Sequence, residues 1–435
     1  MDLITRTSCA EKDASDSRRH DKTRKAACLQ LLQGLGFPST TKKVRFMNYV
    51  HGGDVYRRAV DLDYSVNINP LGMPPRACAA AKHGVDQSTA YPDWKVEKLR
   101  DAVVSFLNRK FAAVAPSAGA NADISVPSVG MRADGAAASA SAGAAVAVPA
   151  PEEIETHEAR AGGSHAVVPE WISFGNGAAD LIYRLVWALK PRRALLPAPT
   201  FAEYAAALES VGCKVKRETL HEADDFAVTE AFVQAVNQSI DLVFLCQPNN
   251  PTGQLASPGL VEKLLRRCEA CGAILAVDEC FLDFLPDADR WTAKPLLESG
   301  SIVIFKAFTK LYGMAGVRLG YCLCGDEALL EKMQAAGQPW AVSSLAQAAG
   351  IAALKETAYV DEVRALIAQQ RPAMTAGLRA LGLRVIDGKA NYLLFRAPAD
   401  LNERLRPLGT QVRSCANYPG LGPEWYRTAV RTAPE

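Results

Sequence analysis

The sequence has almost no net charge: among its 435 residues, 49 Lys and Arg stand against 47 Asp and Glu, a formal balance of +2. So even a balance offers no field to hold a polyanion, and neither nucleic acid nor an anionic membrane is expected as the main partner. Long apolar runs are lacking too. The strongest, at residues 242–246 and 302–308, have strand length and fall far short of the ~18 residues that cross a bilayer. Histidine is scarce, with 6 in the chain, and none sit at metal-ligand spacing; no metal is expected. The 11 cysteines form no disulfide framework in so long a chain. Cys246, Cys280, Cys322 and Cys324 fall in apolar strand-like runs, where a thiol packs as a small hydrophobe. Cys268 and Cys271 make a CxxC pair; with no second pair, a coincidence on a helix surface is expected rather than a metal or redox site.

What is present is a chain 49% hydrophobic, long enough for roughly two to four domains. Residues 1–46 are polar and end in the basic run Lys42, Lys43, Arg45, which reads as an unstructured leader. Without an apolar core this leader is no secretory signal, so a cytoplasmic location is expected. Residues 111–168 are dominated by Ala, Gly and Ser and keep no period, the pattern of a flexible surface insertion that buries too little to offset its ordering entropy. Residues 169–338 alternate short apolar runs (172–174, 194–196, 242–246, 274–277, 302–305 and 319–322) with amphipathic helix-length segments such as 258–271. That alternation predicts an α/β fold: a mostly parallel sheet flanked by helices. From residue 339 the pattern shifts to a long helical stretch at 345–381 and strands near 383–386, 392–395 and 427–431. These predict a smaller α+β domain, completed by residues 47–110.

Four motifs carry chemistry. Residues 172–180, ISFGNGAAD, read as strand, glycine turn and helix, which aims free N–H groups and the positive helix end at one point suited to a phosphate. Residues 247–253, QPNNPTG, hold two asparagines between prolines at the carboxyl end of a strand, where open α/β sheets bind ligands. Asp278 closes the next buried run and needs a cation or strong donor beside it. Lys310 follows another strand, and Arg318 lies eight residues on: an amine able to form a Schiff base, and a cation for phosphate.

Taken in this order, the glycine turn, N-P-T-G, D-E, T-K and R-L-G-Y resemble the aminotransferase-like, fold type I pyridoxal-phosphate enzymes. The resemblance implies pyridoxal 5'-phosphate as cofactor, held covalently by Lys310, which also shuttles the proton. It implies that Asp278 pairs with the pyridine nitrogen and Asn250 with the phenolic oxygen, that Phe201 stacks on the ring, and that Gly177, Ala178, Ala179, Thr309 and Arg318 take the phosphate. Tyr91 of a partner subunit would reach that phosphate as well, which implies a homodimer with shared active sites. Two positions depart from many relatives: Ala307 stands where a serine donor is common, and Phe281 where a tyrosine is, leaving Asn250 as the main donor to the phenolic oxygen.

The flanking segments, H-G-G-D-V-Y from His51, S-V-N-I-N-P-L-G from Ser65, and V-R-S-C-A-N-Y-P-G-L from Val412 with W-Y-R ending at Arg427, are similar to the L-threonine-O-3-phosphate decarboxylases of cobalamin biosynthesis. That branch implies a substrate phosphate held by His51, Gly52, Asn67 and Arg413 and a carboxylate held by Arg427. The implied reaction releases CO2 from L-threonine O-3-phosphate and leaves (R)-1-amino-2-propanol O-2-phosphate. A histidinol-phosphate-type aminotransferase and an L-serine-phosphate decarboxylase stay open as readings of the same residues, as does a regulatory domain that binds the cofactor without turnover.

Overall fold

The computed structural model describes residues 52–53, 60–112 and 166–432, all within a compact unit from Gly52 to Glu435. The polar leader, most of the Ala/Gly/Ser-rich stretch, and His51 lie outside the described residues. The strands, in chain order, are β1 (Leu62–Asp63), β2 (Ile172–Gly175), β3 (Arg193–Ala198), β4 (Lys214–Thr219), β5 (Leu242–Cys246), β6 (Ile274–Asp278), β7 (Ile302–Ala307), β8 (Gly320–Leu323), β9 (Arg384–Val385), β10 (Tyr392–Arg396), β11 (Thr410–Gln411), β12 (Arg413–Ser414) and β13 (Trp425–Ala429). Seven of them form one sheet in the order β2-β8-β7-β6-β5-β3-β4. Pairs β3–β4, β3–β5, β5–β6 and β6–β7 are parallel, and β8 runs antiparallel to both β2 and β7.

Period-two alternation in nearly all-apolar strands explains why this sheet is covered on both faces. Leu195, Val243, Val277 and Ile304 join one hydrophobic cluster, while their neighbours Leu196, Phe244, Ala276 and Val303 join another. Every residue of β5 is buried. The helix Pro258–Cys271 runs as its sequence signals direct: Ser257 caps it by accepting from the Leu260 N–H, Pro258 sits in the first turn, and Gly272 ends it in the left-handed region. Cys268 on that helix faces the core rather than its surface, so its thiol packs as a hydrophobe and burial pushes it up to about 12.

Two expectations need correction. The edge strand β4, KVKRET, went unforeseen because its exposed residues are mostly charged and no apolar run marks it. The helical stretch at 345–381 is two helices, Ser344–Ala353 and Thr357–Ala380. They part where the N–H groups of Lys355 and Glu356 close tight turns onto Ala352 and Ala353. Near the chain's end a four-stranded antiparallel sheet, β12-β13-β10-β9, sets Arg413 directly opposite Arg427, and β1 pairs with β11 beside it.

Beneath the carboxyl end of β6 lies a buried ion cluster. Lys306 on β7 reaches Glu279 at 2.9 Å and Asp283 at 3.2 Å, and Glu279 also accepts from Thr292 at 2.8 Å and from the Ala293 N–H at 2.7 Å. Burial alone would lower the Lys306 pKa; Asp283 and Glu279 overcome it and hold the ammonium charged. Removing one partner strands the other. Lys306→Met is expected to cost about 3–5 kcal/mol, read as a lower urea midpoint at unchanged slope; a midpoint equal to that of the parent protein would mean that Glu279 finds another cation.

Candidate active site

The strands of the large sheet end on one side, and the motif residues gather there. Asp278 closes β6 and is buried; one of its oxygens accepts from the Tyr204 hydroxyl at 2.6 Å and the other from the Cys280 N–H at 3.0 Å. Burial first, and then the Asp278 charge, hold the Tyr204 hydroxyl protonated well above its usual range, so it acts as a donor. Tyr204 stacks on Phe244 at 4.7 Å and meets Phe201 edge-on at 5.5 Å. Phe201 and Tyr204 stand one helical turn apart at the start of Ala202–Ser210, an i,i+3 spacing that could have revealed Tyr204.

Lys310 and Thr309 lie in the short helix Phe308–Leu311 that follows β7. Both are half-buried, and the lysine Nζ stands 5.4 Å from the centre of the Phe281 ring. Burial first, and then the Arg427 charge, lower the Lys310 pKa to about 8 against the opposing pull of Cys280 and Asp278. An amine so tuned is partly neutral near physiological pH, the condition for nucleophilic and proton-transfer work.

The glycine turn behaves as its sequence suggests. Gly177 has φ +83° and precedes the helix Ala178–Leu189, whose first N–H groups receive no side-chain cap. A Cβ at Gly177 would lie 2.6 Å from the Arg318 guanidinium, so the cation sits directly over the helix start. Arg318 is exposed and donates to the Asn176 carbonyl at 3.4 Å. Backbone donors, helix dipole and arginine thus converge on one anion-sized locus.

The two asparagines of the N-P-T-G segment divide the work. Asn249 is structural: it accepts from Thr200 at 2.8 Å, donates to the Pro199 carbonyl at 3.0 Å, and its own carbonyl accepts from Tyr392 at 2.8 Å. Asn250 instead presents Oδ1 to Arg427 at 2.5 Å, which leaves its amide nitrogen free to donate. Arg427 is buried, donates also to the Ser65 carbonyl at 2.9 Å and lies over the Tyr392 ring, yet its Nε has no partner. Beside it Arg413 is buried, donating to Asn417 at 2.8 Å and lying over Tyr418. Asn67 is buried with both side-chain amide atoms unpartnered. Gly52 packs so tightly on the Ser65 carbonyl that a Cβ there would overlap it.

Tyr91 differs from the rest: it is 81% exposed and stacks on Trp340 at 4.7 Å. A cavity of about 510 Å³, lined by Trp94, Arg100, Arg184 and Trp340, lies beside Trp340 and includes none of the residues expected to hold cofactor or substrate. Among the described residues no group of His, Cys, Asp and Glu is arranged to hold a metal, and no helix is long and apolar enough to cross a membrane.

A half-buried lysine on a post-strand turn, a tyrosine-held aspartate and an uncapped helix start under an arginine define a class: the chain belongs to the class I and II aminotransferase family, whose sequence profile matches residues 157–435. Within it, the chain is 32% identical over 398 residues to the threonine-phosphate decarboxylase of Salmonella typhimurium, covering 89% of this chain and 93% of that one. It is 29% identical over 373 residues to a histidinol-phosphate aminotransferase of Symbiobacterium thermophilum, covering 84% and 85%. Among solved structures, the histidinol-phosphate aminotransferase of Clostridium acetobutylicum superposes with a TM-score of 0.67 at 23% identity, covering 85% of this chain and 94% of that one. The L-threonine-O-3-phosphate decarboxylase of Porphyromonas gingivalis gives 0.63 at 19% identity, covering 86% and 95%. At these identities the structural likeness establishes the fold.

Because Arg427 is the cation that depresses Lys310 most, Arg427→Met is expected to raise the pH midpoint of Lys310 acylation above about 8. Peptide mass spectrometry across a pH series reads it; an unmoved midpoint would show that burial alone sets the value.

Proposed function

We propose that the protein is a pyridoxal-phosphate-dependent lyase that decarboxylates L-threonine O-3-phosphate to (R)-1-amino-2-propanol O-2-phosphate. The observation that carries the reading is the pair of unsatisfied buried groups, the Asn67 amide and the Arg427 Nε, on a wall that also holds the buried Arg413. Buried polar atoms without partners cost about 1–3 kcal/mol each, and an anionic substrate would satisfy them. The 32% identity to a threonine-phosphate decarboxylase over nearly the whole chain supports the same substrate.

The residues fit pyridoxal 5'-phosphate. The uncapped helix start at Gly177, Ala178 and Ala179, with Thr309 and Arg318, suits its phosphate; Asp278 suits the ring nitrogen, Asn250 the phenolic oxygen, Phe201 a ring face and Lys310 the aldehyde carbon. When bound, the cofactor supplies an electron sink for charge that develops at the substrate Cα. Asp278 would pair with the ring nitrogen, and the Tyr204 hydroxyl and Cys280 N–H hold its carboxylate in one orientation.

Substrate orientation selects the bond that breaks. Arg427 holds the carboxylate, while Asn67 and Arg413, with His51 and Gly52, hold the phosphate; fixing both ends removes rotation about Cα. The Cα–carboxylate bond breaks, CO2 leaves, and Lys310 returns a proton to Cα. A lysine with a pKa of about 8 carries that proton while remaining able to give it up. A barrier difference of ~4 kcal/mol between this bond and Cα–H biases the outcome roughly a thousandfold. The reading includes a homodimer in which Tyr91, exposed and stacked on Trp340 in this chain, reaches the cofactor phosphate of the second copy.

Incubation with L-threonine O-3-phosphate is expected to release CO2 without an amino-group acceptor; formation of a 2-oxo acid instead would assign the chain to the aminotransferases. Lys310→Ala is expected to abolish both turnover and the cofactor's near-visible absorption, and retention of that band would sink the assignment. Asn67→Ala and Arg413→Ala are expected to raise KM at least tenfold for the phosphorylated substrate, about 1.4 kcal/mol, and far less for its unphosphorylated analogue. Equal losses for both would refute the phosphate cradle.

A further inference from the structure

The segment S-V-N-I-N-P-L-G contains a second asparagine, Asn69, that the proposed substrate contacts leave without a role. It is buried, and every polar atom of its side chain is used. Its Nδ2 donates to the Leu311 carbonyl at 2.6 Å and to the Tyr359 hydroxyl at 2.9 Å, and its Oδ1 accepts from the Leu71 N–H at 2.9 Å. Its backbone N–H donates to the carbonyl of Lys310 itself, at 3.1 Å.

These contacts meet a structural need. The helix Phe308–Leu311 has four residues, too few to satisfy its own carbonyls; the Gly313 N–H donates to the Lys310 carbonyl at 3.3 Å, and further donors come from outside the turn. Asn69 supplies two of them, one to each of the last two helical residues. Tyr359, from the helix Thr357–Ala380, locks the arrangement from behind by donating to the Gly72 carbonyl. Gly72 and Gly313 then meet backbone to backbone, and a Cβ at Gly313, where φ is +60°, would overlap the Gly72 carbonyl.

We infer that Asn69 is the positioning residue for Lys310, clamping the lysine-bearing turn to the strap that also carries Asn67. The inference deepens the proposed function and rests on Lys310 being its working amine. Its mechanical content is that the substrate's phosphate contact and the lysine's anchor sit two residues apart on one rigid strap, so a phosphate seated on Asn67 bears on the same piece of chain that holds Lys310. The charged and titratable groups facing the lysine are Arg427, Cys280, Asp278 and Arg318; Asn69 changes none of them and acts on placement alone.

The test reads Lys310 directly in the full-length protein, after dialysis against hydroxylamine to remove any bound carbonyl compound. The pH midpoint of Lys310 acylation is compared in the parent, Asn69→Ala, Asn69→Leu and Tyr359→Phe. Leu is close to Asn in shape but neither donates nor carries charge, so it separates donation from packing without altering the field at the lysine. Asn69→Ala and Asn69→Leu are expected to shift the midpoint upward by about one unit, as the freed side chain regains water, and Tyr359→Phe by less in the same direction. Unshifted midpoints in Asn69→Ala and Asn69→Leu would overturn the inference. Should both fail to fold, Tyr359→Phe decides: an upward shift supports the clamp and an unchanged midpoint overturns it. A cofactor-loaded assay of the same proteins is expected to lower kcat with KM nearly constant. If the parent protein neither binds pyridoxal phosphate nor releases CO2 while its variants still shift the midpoint, the functional reading fails and the clamp stands.

Discussion

The guanidinium of Arg427 ties together three stretches of chain that are far apart in sequence. It donates to Asn250 at the carboxyl end of the large sheet, donates to the Ser65 carbonyl in the N-terminal strap, and itself projects from β13 near the chain's end. A buried cation tolerates this position because neutral oxygens and the Tyr392 ring face surround it. Among the described residues no carboxylate forms an ion pair with it, which in the proposed function leaves its charge to an anionic substrate. The same charge reaches Lys310 and helps hold that amine near neutrality.

The rest of the site follows from the geometry of a mostly parallel sheet. Parallel strands all end on one side, so Asn250 after β5, Asp278 at the end of β6 and Lys310 after β7 meet although each follows a different helix crossover. Close approach of backbones then sharpens the placement. Gly177 allows Arg318 to lie over the helix start, and Gly313 allows the strap at Gly72 to press on the Lys310 turn. Charge is handled in two tiers: the Lys306, Glu279 and Asp283 cluster is satisfied internally, whereas Asn67 and Arg427 keep unsatisfied atoms. The first cluster holds the structure in place, and in the proposed function the second meets the substrate's anionic groups.

Much of the fold was legible because buried strands are short apolar runs and capped helices carry their own punctuation. The helix Pro258–Cys271 is bounded by Ser257 and Gly272, and β5 coincides with its apolar run. The charged edge strand β4 was not legible, because an edge strand gains little from apolar side chains. Nor was the break between Ala353 and Thr357, which no proline or glycine announces. The motif residues Asn250, Asp278, Lys310 and Arg318 were readable as types at the ends of buried strands, whereas Arg427 was marked only by the resemblance of its flanking segment. Asn69 and Ser65 were not, because each acts through a partner hundreds of residues away, and Tyr204 shows only as the i,i+3 neighbour of Phe201, its bond to Asp278 spanning distant segments.

The linear sequence by itself determined which groups could do chemistry: a lysine after a buried strand, an aspartate at the end of another, glycines before a helix, and two late arginines. It also determined the alternation that builds the sheet, since period-two burial is a local property of each strand. Tertiary structure alone decided how those groups are tuned. The lowered pKa of Lys310, the tyrosine on Asp278 and the turning of Asn250 by Arg427 all arise from contacts between distant segments. Burial and electric field depend on where neighbours sit in space, and chain order alone does not encode that distance.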